Sequence, residues 1–267
     1  MNRTILYCAL LLILMFAGKV LAASADLTIT DIQAPVGMIY GKDGALYVSE
    51  WSRNRVSRIG SNGRTIVTEA IPNPSGLAFD DEGTLYAASY EDGSIYALAS
   101  GAQPRRIASG FASPTGMIWE GKALIVANRN AGEIVRVFRN GRKEIVSRGH
   151  RTPVGIARLN DGSLAVSCYG GSVDMVSPDG NVSVLTNSLN TPGVGIIPDR
   201  KPGAEDAVLV VDYGGTTVQR VTRDGKASPV TDGLHSPVGL ARMPDGRVLV
   251  GTWGDNAAYA FNANHEE

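Results

Sequence analysis

The chain has 267 residues, 25 basic and 26 acidic side chains, a formal net charge of −1, and two cysteines. This balance is no nucleic-acid footprint, and so few cysteines rule out a disulfide-stapled scaffold. The length is enough to bury a substantial core.

Residues 1–25 read as a secretory signal peptide. Arg3 supplies the positive start, Ile5 to Ala17 is an unbroken apolar run, and the small residues Ala22, Ala23 and Ala25 offer cleavage after Ala22 or Ala25. That run of 13 residues falls short of the roughly 20 needed to span a bilayer. Cys8 lies inside it behind bulky Tyr7 and does not read as a lipidation site. Loss of Arg3 and Lys19 leaves 23 basic against 26 acidic residues, with Cys168 as the only cysteine. A periplasmic or secreted protein is therefore expected, with no membrane span after cleavage and no internal disulfide.

From residue 26 to 267 no linker divides the chain, and one phrase recurs. Pro35-Val36-Gly37 is followed by Pro74-Ser75-Gly76, Pro114-Thr115-Gly116 and Pro153-Val154-Gly155, then by Pro192-Gly193-Val194-Gly195 with one residue inserted, and by Pro237-Val238-Gly239. The glycines stand 39, 40, 39, 40 and 44 residues apart. A fixed period near 40 made of short β-like runs predicts an all-β, six-bladed β-propeller with four strands per blade.

In the first repeat, Met38-Ile39-Tyr40 runs into the Asp43-Gly44 turn, and Leu46–Ser49 forms the second strand. Asn54–Ile59 is a third strand, and Asn62-Gly63 turns it into a fourth at Thr65–Thr68. Equivalent turns recur at Asn140-Gly141, Asp161-Gly162, Asp179-Gly180, Asp224-Gly225 and Asp245-Gly246. The fifth repeat carries extra residues around Pro198–Gly203, read as a loop insertion. The sixth supplies three strands, around Gly239–Arg242, Val248–Thr252 and Ala257–Phe261. The alternating segment Leu27–Ile32 predicts the fourth, so that the N-terminus closes the ring and covers an open edge.

Up-and-down topology gathers the Pro-x-Gly phrases and the second-to-third-strand loops at one end. Two columns of residues meet there. The outer one reads Trp51, Tyr90, Arg129, Tyr169, Tyr213, Trp253. It suits either packing between blades or a ring of stacking surfaces around a ligand, with Arg129 as an anion contact or as a cation on a neighbouring ring. The other reads Glu50, Ser89, Asn128, Cys168, Asp212, Thr252. Glu50, Asn128 and Asp212 fall in blades one, three and five, and either hold a hard cation such as Ca²⁺ or Mg²⁺ or cap local turns. His150 and His235 both precede a Pro-x-Gly phrase and are candidates for a general base, or else solvated loop residues. Cys168 has no neighbouring base in sequence and reads as structural. The basic stretch from Arg129 to Arg151 reads as a solvated outer edge of blade three.

Leu46-Tyr47-Val48-Ser49-Glu50-Trp51 followed by Asn54-Arg55-Val56-Ser57-Arg58-Ile59, after Pro-x-Gly and an Asp-Gly turn, resembles the NHL-repeat superfamily. Within it the repeat is similar to gluconolactonase (senescence-marker)-like and virginiamycin B lyase-like proteins. The resemblance covers residues 26 to about 262 and implies the propeller fold. It also implies metal-binding Asn, Asp or His at the middle of the Pro-x-Gly phrases, where this chain has Val36, Ser75, Thr115, Val154, Val194 and Val238.

Two functions are consistent with these residues. One is an exported, monomeric propeller that binds a small molecule or a protein partner through Trp51, Arg129, Tyr169, Tyr213 and Trp253. The other is a divalent-metal lactonase or lyase, with Glu50, Asn128 and Asp212 as ligands and His150 or His235 as base.

Overall fold

The computed structural model describes residues 28–99, 101–200 and 206–263; the leader lies outside them. Six four-stranded antiparallel sheets follow one another around an axis. Blade one comprises Pro35–Tyr40, Leu46–Glu50, Arg55–Gly60 and Gly63–Thr68, innermost to outermost, and the next four blades repeat this order. Blade six is Pro237–Arg242, Val248–Thr252 and Ala257–Phe261, completed by Thr28–Ile29 from the N-terminal end of the described chain. The expected closure is present, with a shorter closing strand than the alternation suggested. Thr28 pairs with Tyr259 and Ile29 with Ala258. Two bonds to the Asn256 loop follow, from Ile32 N to the Asn256 carbonyl and from Ala34 N to Oδ1, both 3.0 Å.

The second strands read as near-continuous apolar runs because both of their faces are buried. In blade five, Val208 and Val210 face a cluster shared with blade four, while Leu209 and Val211 face one shared with blade six. Six such apolar clusters occur among the described residues, one between each pair of neighbouring blades, including the pair that closes the ring.

The Pro-x-Gly phrase is a bulge. In every blade the register between first and second strands shifts across it, which re-aims one side chain. Its glycine lies against the backbone of the next blade. A Cβ on Gly37 would sit 2.2 Å from the Ser75 carbonyl oxygen, and one on Gly239 would sit 2.4 Å from that of Val36. Such approaches exclude any side chain. In five of the six blades the residue before the proline takes a left-handed backbone, at Ala34, Asn73, Ser113, Thr152 and Ser236.

Two outcomes test this construction. Gly239→Ala should lower stability by about 1–3 kcal/mol or more through overpacking, measured by urea unfolding, whereas Gly246→Ala, with open space around its Cβ position and only a positive-φ penalty, should cost less. Deleting residues 28–33 uncovers the edge of Ala257–Phe261 and removes buried Ile32. It should replace one cooperative thermal transition by a broad or lower one; an unchanged transition would refute closure by this segment.

Candidate functional site

The bulges point the middle residue of each phrase at the axis. Val36, Ser75, Thr115, Val154, Val194 and Val238 form the floor of a cavity of about 200 Å³ at the end where the second-to-third-strand loops gather. The hydroxyls on this floor are spent on the framework: Ser75 Oγ donates to the Pro114 carbonyl at 2.8 Å, and Thr115 Oγ1 lies 3.4 Å from the Pro153 carbonyl. The floor is therefore apolar in character.

The wall is the Trp51–Trp253 column. Trp51 meets Tyr90 edge-on at 4.7 Å between centroids and lies 6.1 Å from Trp253. Trp253 meets Tyr213 at 6.5 Å, and Tyr213 lies 6.5 Å from Tyr169. Arg129 completes the circle, its guanidinium carbon 5.3 Å from the Tyr169 ring centroid and 5.8 Å from that of Tyr90. Of the two arrangements open to this column, the structure gives the ring around a mouth, with Arg129 as a cation on both neighbouring rings.

Backbone bonds fix these side chains to the floor. The N–H groups of Trp51, Tyr90, Tyr169, Tyr213 and Trp253 donate to the carbonyls of Ala34, Asn73, Thr152, Thr191 and Ser236, each the residue before the proline of its own blade. In blade three the bond comes instead from Asn130 N to the Ala112 carbonyl. Both indoles are anchored. Trp253 Nε1 donates to the Pro35 carbonyl at 3.0 Å. The Asn73 amide, assigned by its partners, accepts from Trp51 Nε1 at 3.1 Å and donates to Glu91 at 2.7 Å.

Glu50, Asn128 and Asp212 are not brought together around an ion. Each is turned into its own blade, where it receives the loop arriving from the previous blade. Glu50 accepts from Gln33 N at 2.9 Å, Asn128 Oδ1 from Ala112 N at 2.7 Å, and Asp212 from Thr191 N at 2.7 Å and Asn190 N at 3.0 Å. Glu50 is fully buried and also takes Arg55 Nε at 2.7 Å and Ser57 Oγ at 2.5 Å. Burial alone would push its carboxyl up, but the bonds from Arg55, Ser57 and Gln33 outweigh it and hold the group below the ordinary value. In blades one, three and five a single 3₁₀ turn follows this position, so the alternation in sequence reflects loop geometry.

Neither histidine lines the cavity. His235 is exposed and bonds Asp255 at 2.8 Å. His150 is buried, with Nδ1 2.7 Å from Asp174 Oδ2 and Nε2 2.8 Å from Ser147 Oγ. Asp174 also accepts from Ser172 Oγ at 2.9 Å and from Cys168 Sγ at 3.3 Å. Burial would raise the Asp174 carboxyl, yet these donors bring it down, while burial and the Asp174 charge push the Cys168 thiol far above its usual range. Ser147, His150 and Asp174 stand in the order of a hydrolytic triad, but all three are buried, and they link blade three to blade four. Asp174 escaped the sequence reading; its signal was an acid between Val173 and Met175 in a wholly buried strand.

The residues lining this cavity do not supply the oxygen donors that calcium or magnesium needs. The cavity lining has no carboxylate, amide or imidazole. Among the described residues the one His, Cys and acidic cluster with ligand atoms within 4.8 Å of each other is His150, Cys168 and Asp174, whose nitrogen and sulfur are the wrong chemistry for a hard cation.

The lowered carboxyls carry a sign. A folded-state pKa below the unfolded one contributes stability that is complete above the unfolded value, 4.5 for Glu and 3.8 for Asp, and is lost as pH falls through the folded value. Glu50→Gln should lower stability at pH 7 by about 3–5 kcal/mol, because Arg55 loses its buried partner. It should also flatten the decline in Tm below about pH 4.5. An acid limb identical to that of the unsubstituted protein would contradict this.

No family model matches the sequence, and no curated protein matches it. Solved structures do. The fold superposes on a gluconolactonase from Xanthomonas campestris (TM-score 0.74, 16% identity, 88% of this chain and 89% of that one). It also superposes on the calcium-binding protein regucalcin of Agrobacterium tumefaciens (0.72, 15%, 90% and 94%) and on virginiamycin B lyase from Staphylococcus aureus (0.67, 16%, 85% and 82%). At these identities the likeness is one of fold: a six-bladed propeller of the kind the repeat resembled.

Proposed function

We propose that this chain is an exported, monomeric binding propeller whose ligand is a small molecule held in the cavity inside the Trp51–Trp253 ring. One observation carries the reading: five aromatic side chains and one arginine form a closed wall, held by backbone bonds, above an apolar floor. A concave, mostly apolar site with few polar groups, of which Arg129 alone is charged, is what a small-molecule pocket requires. A flat protein partner would leave the floor unused. The lactonase or lyase reading rests on likeness of fold, and function resides in the site rather than the scaffold. Here the side chains such chemistry needs are spent in the framework.

The test is a ligand-observed NMR screen of small ring compounds, followed by titration of the hits. Trp253→Ala and Tyr213→Ala should weaken the hits about tenfold, since aromatic contacts add about 0.5–1.5 kcal/mol beyond buried area. Ile66→Ser, on the exposed outer strand of blade one, should leave binding unchanged. Hits that bind the Trp253 and Tyr213 variants as tightly as the parent would place the site elsewhere.

A further inference from the structure

The ring also defines the chemistry of its ligand. Arg129 is the only charged residue lining the cavity. Its Nη1 donates to Tyr90 Oη at 3.1 Å and to Asn130 Oδ1 at 2.9 Å. Its Nε and Nη2 have no acceptor, and it makes no ion pair, among the described residues. Cation–π contacts with the Tyr90 and Tyr169 rings and the two Nη1 hydrogen bonds hold the guanidinium without neutralising it. A guanidinium so held presents a two-pronged edge that matches a carboxylate. Aromatic cages that receive cationic ligands depend on ring faces free of competing positive charge; here a cation already occupies two of those faces.

Size narrows the class further. A closed apolar cavity of about 150 Å³ accepts benzene, and this one, at about 200 Å³, has room for one ring and a short acidic group. The tilted and edge-on aromatic pairs offer both faces and edges to such a ring. We infer that the cavity binds a small monocyclic aromatic carboxylate, its ring within the Trp51, Tyr213 and Trp253 wall and its carboxylate on the Nε–Nη2 edge of Arg129. This rests on reading the ring as the binding site.

The test uses the Trp119→Phe variant, in which Trp51 and Trp253 are the remaining tryptophans. Trp119 stacks on Tyr86 and is not part of the ring. Phenylacetate, phenylacetamide and acetate are titrated against tryptophan emission. Phenylacetate should bind at least tenfold more tightly than its amide, and acetate at the same concentrations should not displace it. Arg129→Gln should remove the preference for the acid, and Arg129→Lys should restore part of it. Equal affinity for acid and amide in the unsubstituted ring, or a preference that survives Arg129→Gln, would overturn the carboxylate assignment and leave the ring as a binding site. No change in emission or Tm with either phenyl compound would overturn both.

Discussion

How closely six innermost strands can approach one another sets the rest of this structure. Each Pro-x-Gly glycine is in contact with backbone of the next blade, the last with the first. The ring is closed, so no blade can retreat to make room for a Cβ without displacing its neighbours. This explains why the glycine is invariant across the six copies while the residue before it varies among valine, serine and threonine. The same bulge that brings the backbones together turns that middle residue toward the axis. One local device therefore spaces the blades and lays the cavity floor.

The floor in turn positions the wall. A left-handed residue before a proline is costly for anything but glycine, and the fold holds it in five blades. In four of these, and in blade five, the carbonyl it carries receives the N–H of an aromatic wall residue. The aromatic residues are thus tied by backbone bonds to the starts of the innermost strands. With the indole nitrogens also bonded, little ordering is left for a ligand to impose, which is the condition under which a small contact area can yield useful affinity.

The architecture was legible because propeller periodicity is written in local residues: a bend, a turn dipeptide, an apolar run, repeated six times. The ends were equally legible, since three strands at one terminus and one at the other admit a simple closure. The site was legible only as two columns. Sequence register places Trp51 and Trp253 at equivalent positions but does not say how far those positions stand from the axis, so the aromatic ring and interblade packing remained equal in kind. It left Glu50, Asn128 and Asp212 as either cation ligands or turn caps, because acids at a rim resemble ligands. What it lacked was the direction of each side chain: Glu50 points back to Gln33 and Arg55. His150 likewise stood in a loop by sequence, and only folding encloses it beside Asp174, an acid contributed by the next blade.

Blade three shows how the framework leaves one charge unspent. In blades one and five the position before the wall residue is an acid, Glu50 or Asp212, and in blade one that acid collects the guanidinium of Arg55 and approaches Arg53 at 3.6 Å. In blade three the same position is Asn128, which accepts the loop N–H as the acids do but brings no negative charge. The nearby carboxylate of Glu133 is engaged by the Asn128 amide at 3.3 Å and by Arg148 at 3.1 Å. An acid at position 128 could still accept the Ala112 N–H, but it would lose the bond to Glu133, set two carboxylates against each other and place a counter-charge beside Arg129 in sequence. The neutral amide performs that task without it, and so the one cation in the wall keeps its charge for whatever enters the cavity.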